Sequence, residues 1–125
     1  MKYSLVITQT AEGESNTVAV DAEGVYENGT LVLNYQFDGA AYRLEIGQNA
    51  MSQTRGGDVK LSMFFAEGKT TAARLFDGTN GGEFPLYTHM LKVRSDGADC
   101  KAECEFSYGE GGEKIYLSVA ASILQ

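Results

Sequence analysis

The sequence predicts a single all-β domain, residues 1–125, folded as one antiparallel, mostly up-and-down barrel of about eight to ten strands. Three observations lead there. Apolar and polar residues alternate with period two over short stretches. Tight-turn residues punctuate those stretches, as between hairpin strands. No stretch carries the apolar spacing of a helix. A chain of 125 residues is long enough to bury one core without disulfides or metals. Closing the strands on themselves removes the exposed sheet edges, with a two-sheet sandwich as the second architecture.

Strands are expected from Tyr3 onward. Glu27-Asn28-Gly29 is a tight turn, after which Leu31, Leu33, Tyr35 and Phe37 share one face. Asp38-Gly39 then reverses the chain into Tyr42, Leu44 and Ile46, the signature of a hairpin. Arg43 falls on the opposite, outer face. Gly56-Gly57 turns the chain again, and Val59, Leu61, Met63 and Phe65 alternate with Asp58, Lys60 and Ser62. Glu67-Gly68 leads to a strand holding Ala73 and Leu75, with Arg74 outside. The glycine-rich stretch Asp77 to Glu83 is expected to be a flexible lid or rim, with Pro85 starting the next strand where no ladder donor is needed.

After the Asp96-Gly97 turn the alternation is at its clearest. Ala98, Cys100, Ala102, Cys104, Phe106 and Tyr108 oppose Asp99, Lys101, Glu103, Glu105 and Ser107. On a strand, Cys100 and Cys104 stand roughly 13 Å apart at about 3.3 Å per residue, too far for a disulfide or a shared metal. Both read as small buried hydrophobes. Gly109 to Gly112 makes a looser turn, and Ile115, Leu117, Val119, Ala121 and Ile123 share the inner face of the last strand.

Composition narrows the function. Seventeen acidic against ten basic residues give a formal charge of −7, which repels phosphate backbones and anionic membrane surfaces, so neither nucleic acid nor membrane is an expected partner. The apolar run near the N-terminus is broken by Ser4, Thr8 and Gln9 and is too short for a signal-peptide core. Reduced thiols and the missing signal together point to the cytoplasm.

Three stretches resemble the small YwiB-like family of bacterial proteins of unknown function: Gln53 to Phe65 (QTRGGDVKLSMFF), Ala73 to Thr88 (ARLFDGTNGGEFPLYT) and Cys100 to Ala120 (CKAECEFSYGEGGEKIYLSVA). The resemblance covers about the last two-thirds of the chain. It implies a calycin-type, lipocalin-like barrel of bacterial origin and brings no known activity. Phe76, Gly82 and Thr88 fill the family's aromatic, glycine and threonine positions, while the loop here is longer and contains Pro85.

No catalytic constellation emerges, and the protein is read as a non-enzyme without cofactor or metal. His89 is the single histidine, and its strand has apolar residues on both faces, so parity does not orient its ring. No serine sits in a G-x-S-x-G elbow. Glu103 and Glu105 lie among Asp99, Lys101 and Ser107 on a solvated face, where carboxylates do no acid chemistry. The glycine-rich stretch lacks the spacing and the distal glutamate of a calcium loop.

The inner face is more informative. Small residues (Ala40, Ala73, Ala98, Cys100, Ala102, Cys104, Ala121) are mixed with Tyr35, Phe37, Tyr42, Phe65, Phe106 and Tyr108, a combination able to leave a cavity in a closed barrel. The expected function is therefore binding of a small apolar or aromatic ligand. Arg55, at a strand end, together with Phe84, Tyr87 and His89, is the candidate rim, and Tyr35, Tyr42 and Tyr108 the candidate inner contacts. The alternative is an interaction module or homodimer with a filled interior, presenting Val32, Phe64, Phe76 and Leu91 outward.

Overall fold

A computed structural model describes residues 1–96 and 99–124. Ten strands follow one another: β1 (Lys2–Ala11), β2 (Glu14–Glu27), β3 (Thr30–Phe37), β4 (Ala40–Ile46), β5 (Met51–Arg55), β6 (Lys60–Phe65), β7 (Thr70–Phe76), β8 (Gly81–Asp96), β9 (Asp99–Ser107) and β10 (Ile115–Ile123). Each pairs antiparallel with its neighbour in sequence, and β1 pairs with β10 from Tyr3↔Ile123 to Thr10↔Tyr116, closing the barrel. The predicted all-β barrel is thus observed, as a pure meander. Among the described residues no helix is long and apolar enough to cross a membrane. Gly97 and Ala98, assigned above to a turn and to the inner face, lie outside the described residues.

The turns work as their residues dictate. Asn28-Gly29 and Asp38-Gly39 take positive φ at both positions (53° and 80°, 51° and 77°), the geometry that matches the twist of a two-residue hairpin. Glu12-Gly13 does the same at 54° and 79°, a hairpin that sequence reasoning passed over because the flanking residues are polar on both faces. The turns after β1, β3, β5, β7 and β9 gather at one end of the barrel, here the upper end, and those after β2, β4 and β6 at the other.

Alternation fills the interior. Tyr3, Leu5, Leu31, Leu33, Leu44, Ile46, Met51, Phe65 and Leu86 are each at most 2% exposed, and five of them (Tyr3, Leu31, Ile46, Met51 and Phe65) sit toward the lower strand ends and plug that end. There the chain termini also meet: the Leu124 amide donates to the Lys2 carbonyl at 2.8 Å, and the Gly24 amide to that of Met1 at 2.8 Å. Cys100 and Cys104 are both buried and unbridged, and burial pushes the Cys104 thiol up to about 12.

Strand β8 corrects three expectations. Its register slips between Thr88 and Met90, a bulge that places two residues against one of β9. Before the slip Leu86 and Thr88 are buried, and after it Leu91 is, so the inner face passes from even to odd numbers within one strand. Leu91 is therefore core, 9% exposed, and no part of an outward patch. Gly81 and Gly82 are already strand, paired with Phe76 and Leu75. The expected lid reduces to a tight turn, Asp77 to Asn80, in which Asp77 Oδ1 accepts the Asn80 amide at 2.8 Å and the Asp77 amide donates to the Asn80 carbonyl at 2.9 Å. Pro85 lies inside β8, not at its start. It pairs with Ala72 of β7, while pairing with β9 begins only at Tyr87. Because the Thr88 amide bonds to the Lys69 carbonyl on the β7 side, alternation turns the Pro85 nitrogen toward β9, where no ladder partner is waiting.

Candidate functional site

The lower end is plugged, but the upper end is not. A cavity of about 440 Å³ opens there, lined by Ile7, Gln9, Asn16, Val18, Tyr35, Phe37, Tyr42, Gln53, Arg55, Leu61, Met63, Phe106 and Tyr108. Its floor is apolar: Met63 and Phe106 belong to the core, and Phe106 meets Phe65 edge to face at 5.0 Å below and Tyr108 at 6.0 Å above. At the rim, Phe37 and Tyr108 are 42% and 50% exposed. They are inward by parity, yet at this height nothing stands opposite to cover them.

One wall is a built polar array. The Asp38-Gly39 turn fixes the register Tyr35↔Tyr42, and the two rings stack with centroids 5.1 Å apart and planes 5° from parallel. The next hairpin sets Tyr42 opposite Arg55 and Leu44 opposite Gln53. Gln53 Nε2 donates to the Tyr35 hydroxyl at 3.2 Å, and Arg55 Nε to the Tyr42 hydroxyl at 3.1 Å. Arg55 Nη1 also donates to the Val59 carbonyl across the turn. The guanidinium carbon stands 5.8 Å from the Tyr42 ring centroid, so the group is held by contacts on two sides. Burial pushes the Tyr35 phenol up, against the opposing effect of the Gln53 hydrogen bond, which keeps it a neutral hydrogen-bond donor.

Of the seven residues singled out in the sequence, Tyr35, Tyr42, Arg55 and Tyr108 come together here. Phe84, Tyr87 and His89 do not line the cavity. Phe84 pairs with Ala73 on the part of β8 that runs beyond β9 and is 47% exposed. Tyr87, between buried Leu86 and Thr88, points to the outer wall and packs edge to face on His89 at 4.7 Å. His89 Nε2 lies 2.8 Å from Ser107 Oγ, which itself donates to the Gly109 carbonyl, so the histidine nitrogen is the donor and the ring pins the β9–β10 loop. With the hydroxyl committed in that way, Ser107 is not poised as a nucleophile. Gln53, Leu61 and Met63 were missed as site residues. Counting back by twos from Arg55 and onward through the Gly56-Gly57 turn was the signal that could have found them.

A second depression, about 550 Å³, runs along the outer wall past Leu75, Phe76, Gly81 and Gly82. The Arg74–Glu83 ion pair, 2.9 Å and well exposed, crosses it. It is a groove between side chains of β6 to β8, without strands around it. Among the described residues no three His, Cys, Asp or Glu side chains gather where they could hold a metal ion.

The crystal structure of YwiB protein from Bacillus subtilis superposes on this barrel with a TM-score of 0.77, covering 99% of this chain and 91% of that one at 13% identity. The likeness is one of fold. No family model matches the sequence, and neither does any curated protein.

Proposed function

We propose that the protein is a non-enzymatic binding barrel that holds a small, mostly apolar or aromatic ligand in its upper mouth, as calycin-type barrels do in theirs. The observation that carries this reading is the asymmetry of the two ends: one filled by five large side chains, the other opening on an apolar floor beneath a fixed polar wall. Barrels of this strand number have room for one small ligand, and sites of this kind combine apolar lining with a few placed polar groups. The proposed setting is a bacterial cytoplasm, in which free thiols such as Cys100 and Cys104 stay reduced.

Native mass spectrometry of freshly purified protein, together with titration of the neutral fluorophore N-phenyl-1-naphthylamine, tests this reading. The expected result is a ligand adduct of a few hundred daltons or a saturable fluorescence rise at one site per barrel, with Leu61→Trp abolishing it by filling the cavity. A clean unliganded mass and no saturable fluorescence would overturn it.

The alternative, an interaction module or homodimer, retains Phe64 and Phe76 of the residues named for it, both exposed, and loses Leu91 to the core. Leu75, Phe76 and Phe84 are all at least 38% exposed on the β7–β8 hairpin. Part of that exposure has a local reason: the Phe76 ring covers Gly81 and the Phe84 ring covers Gly82 across or along the strands. The mouth is therefore the favoured site.

A further inference from the structure

Charge distinguishes the mouth from the rest of the molecule. The chain carries 17 carboxylates and 10 cationic side chains, yet the cavity is lined by one arginine and no acid. Elsewhere several cations meet acids: Arg43 meets Glu45, Arg74 meets Glu83, Lys114 meets Glu105, and Lys2 and Lys92 stand opposite Glu23 and Glu103, although Arg94 and Lys101 face each other. Arg55 has no carboxylate within salt-bridge distance among the described residues, although Asp38 and Asp58 belong to turns at the same end. Its two hydrogen bonds go to neutral oxygens, the Tyr42 hydroxyl and the Val59 carbonyl.

The remaining hydrogen-bonding capacity points one way. Nε and one hydrogen of Nη1 are used, so both hydrogens of Nη2 and one of Nη1 are left to give. The Tyr35 and Tyr42 oxygens both accept, from Gln53 and Arg55, so each retains its O–H hydrogen to give. The site is therefore rich in donors and cationic, and it lacks any acidic acceptor. A planar group with two acceptor oxygens and one negative charge satisfies it, and a guanidinium fork binds that group by two parallel bonds.

Resting on the ligand-barrel reading, we infer that the ligand is an anion: an aromatic or apolar monocarboxylate whose acid pairs with Arg55 and whose body lies on the floor of Leu61, Met63 and Phe106.

The test compares 2-naphthoate with 2-naphthamide, matched in shape and differing in charge, as competitors of bound N-phenyl-1-naphthylamine. Wild-type protein is expected to bind the carboxylate at least tenfold more tightly than the amide. Arg55→Gln is expected to erase that preference, so that acid and amide bind alike, and Arg55→Lys, which keeps the charge but loses the fork, to retain part of it. Circular dichroism of each variant reports that it is folded. Equal affinity for acid and amide in wild-type protein, or a preference that survives Arg55→Gln, overturns the anion inference and leaves the apolar cavity standing. Failure of the fluorophore itself to bind wild-type protein removes both.

Discussion

Gly24 shows how closely single positions are specified. It faces inward on β2, paired with Leu33, and a Cβ built there would lie 2.5 Å from two ring carbons of Tyr3 and 2.9 Å from Leu33 Cδ2. Its φ is not in the left-handed region, so space is the constraint: Tyr3, 1% exposed, uses the missing side chain as its seat. Gly24→Ala is therefore expected to cost about 2 kcal/mol, as overpacked cores do, visible as a lower urea midpoint with an unchanged slope. Tyr3→Leu in the same chain should return part of that loss, because the two sites share one space. A midpoint indistinguishable from wild type would show that the ring has somewhere else to go.

At the scale of the strand, the bulge in β8 accounts for what sequence periodicity left ambiguous. Apolar residues on both faces of the His89 strand are what two correct alternations look like when joined out of phase. No residue type marks the joint: Thr88, His89 and Met90 are all ordinary strand residues. The structure also shows what the bulge requires. β7 has ended by this point, and the Leu91 amide, left without a strand partner on that side, donates to Glu67 Oε1 at 3.0 Å from the β6–β7 turn. Thr88 Oγ1 accepts the Ala66 amide at 3.2 Å from the same turn, and the Gly68 amide donates to the Thr88 carbonyl at 2.8 Å. The turn is thus a clamp on the bulge. Glu67→Ala is expected to cost about 1 kcal/mol, a single hydrogen bond at an exposed carboxylate, and to speed hydrogen exchange at the Leu91 amide selectively. Unchanged exchange there would deny the clamp its role.

For the whole molecule, the fold was legible and the site only half so, for one physical reason. Strand parity and turn residues are local, so the hairpins around Asn28-Gly29 and Asp38-Gly39 could be read directly, and with them the inward placement of Tyr35 and Tyr42. Which side chains surround one cavity depends on how far each strand is staggered in the closed barrel, and that is not local. Phe84, Tyr87 and His89 are near the right height in sequence, yet Phe84 lies where β8 runs beyond β9, parity turns Tyr87 to the outer wall, and His89 sits in the bulge, bonded to Ser107. Closure itself predicts tolerance to rewiring. Joining the adjacent old ends and opening the chain in the Asp77–Asn80 turn should give a permutant with the same strand content by circular dichroism and the same binding of N-phenyl-1-naphthylamine. Loss of either would show that the original strand order is needed.

The pairing of β1 with β10 has one more consequence, in time instead of space. Every other ladder joins strands adjacent in sequence and is complete soon after both have been made. The seam between Tyr3 and Ile123 must wait until β10 has been made. During synthesis a nearly finished sheet therefore carries two bare edges, β1 and β9, each ready to pair with a stranger. The polar threonines and serines facing out from β1 and β2, such as Thr8, Thr10, Ser15 and Thr17 with their mutual hydrogen bonds, stand beside the edge that waits longest. A chain cut short before β10 would be not a slightly smaller barrel but an open one.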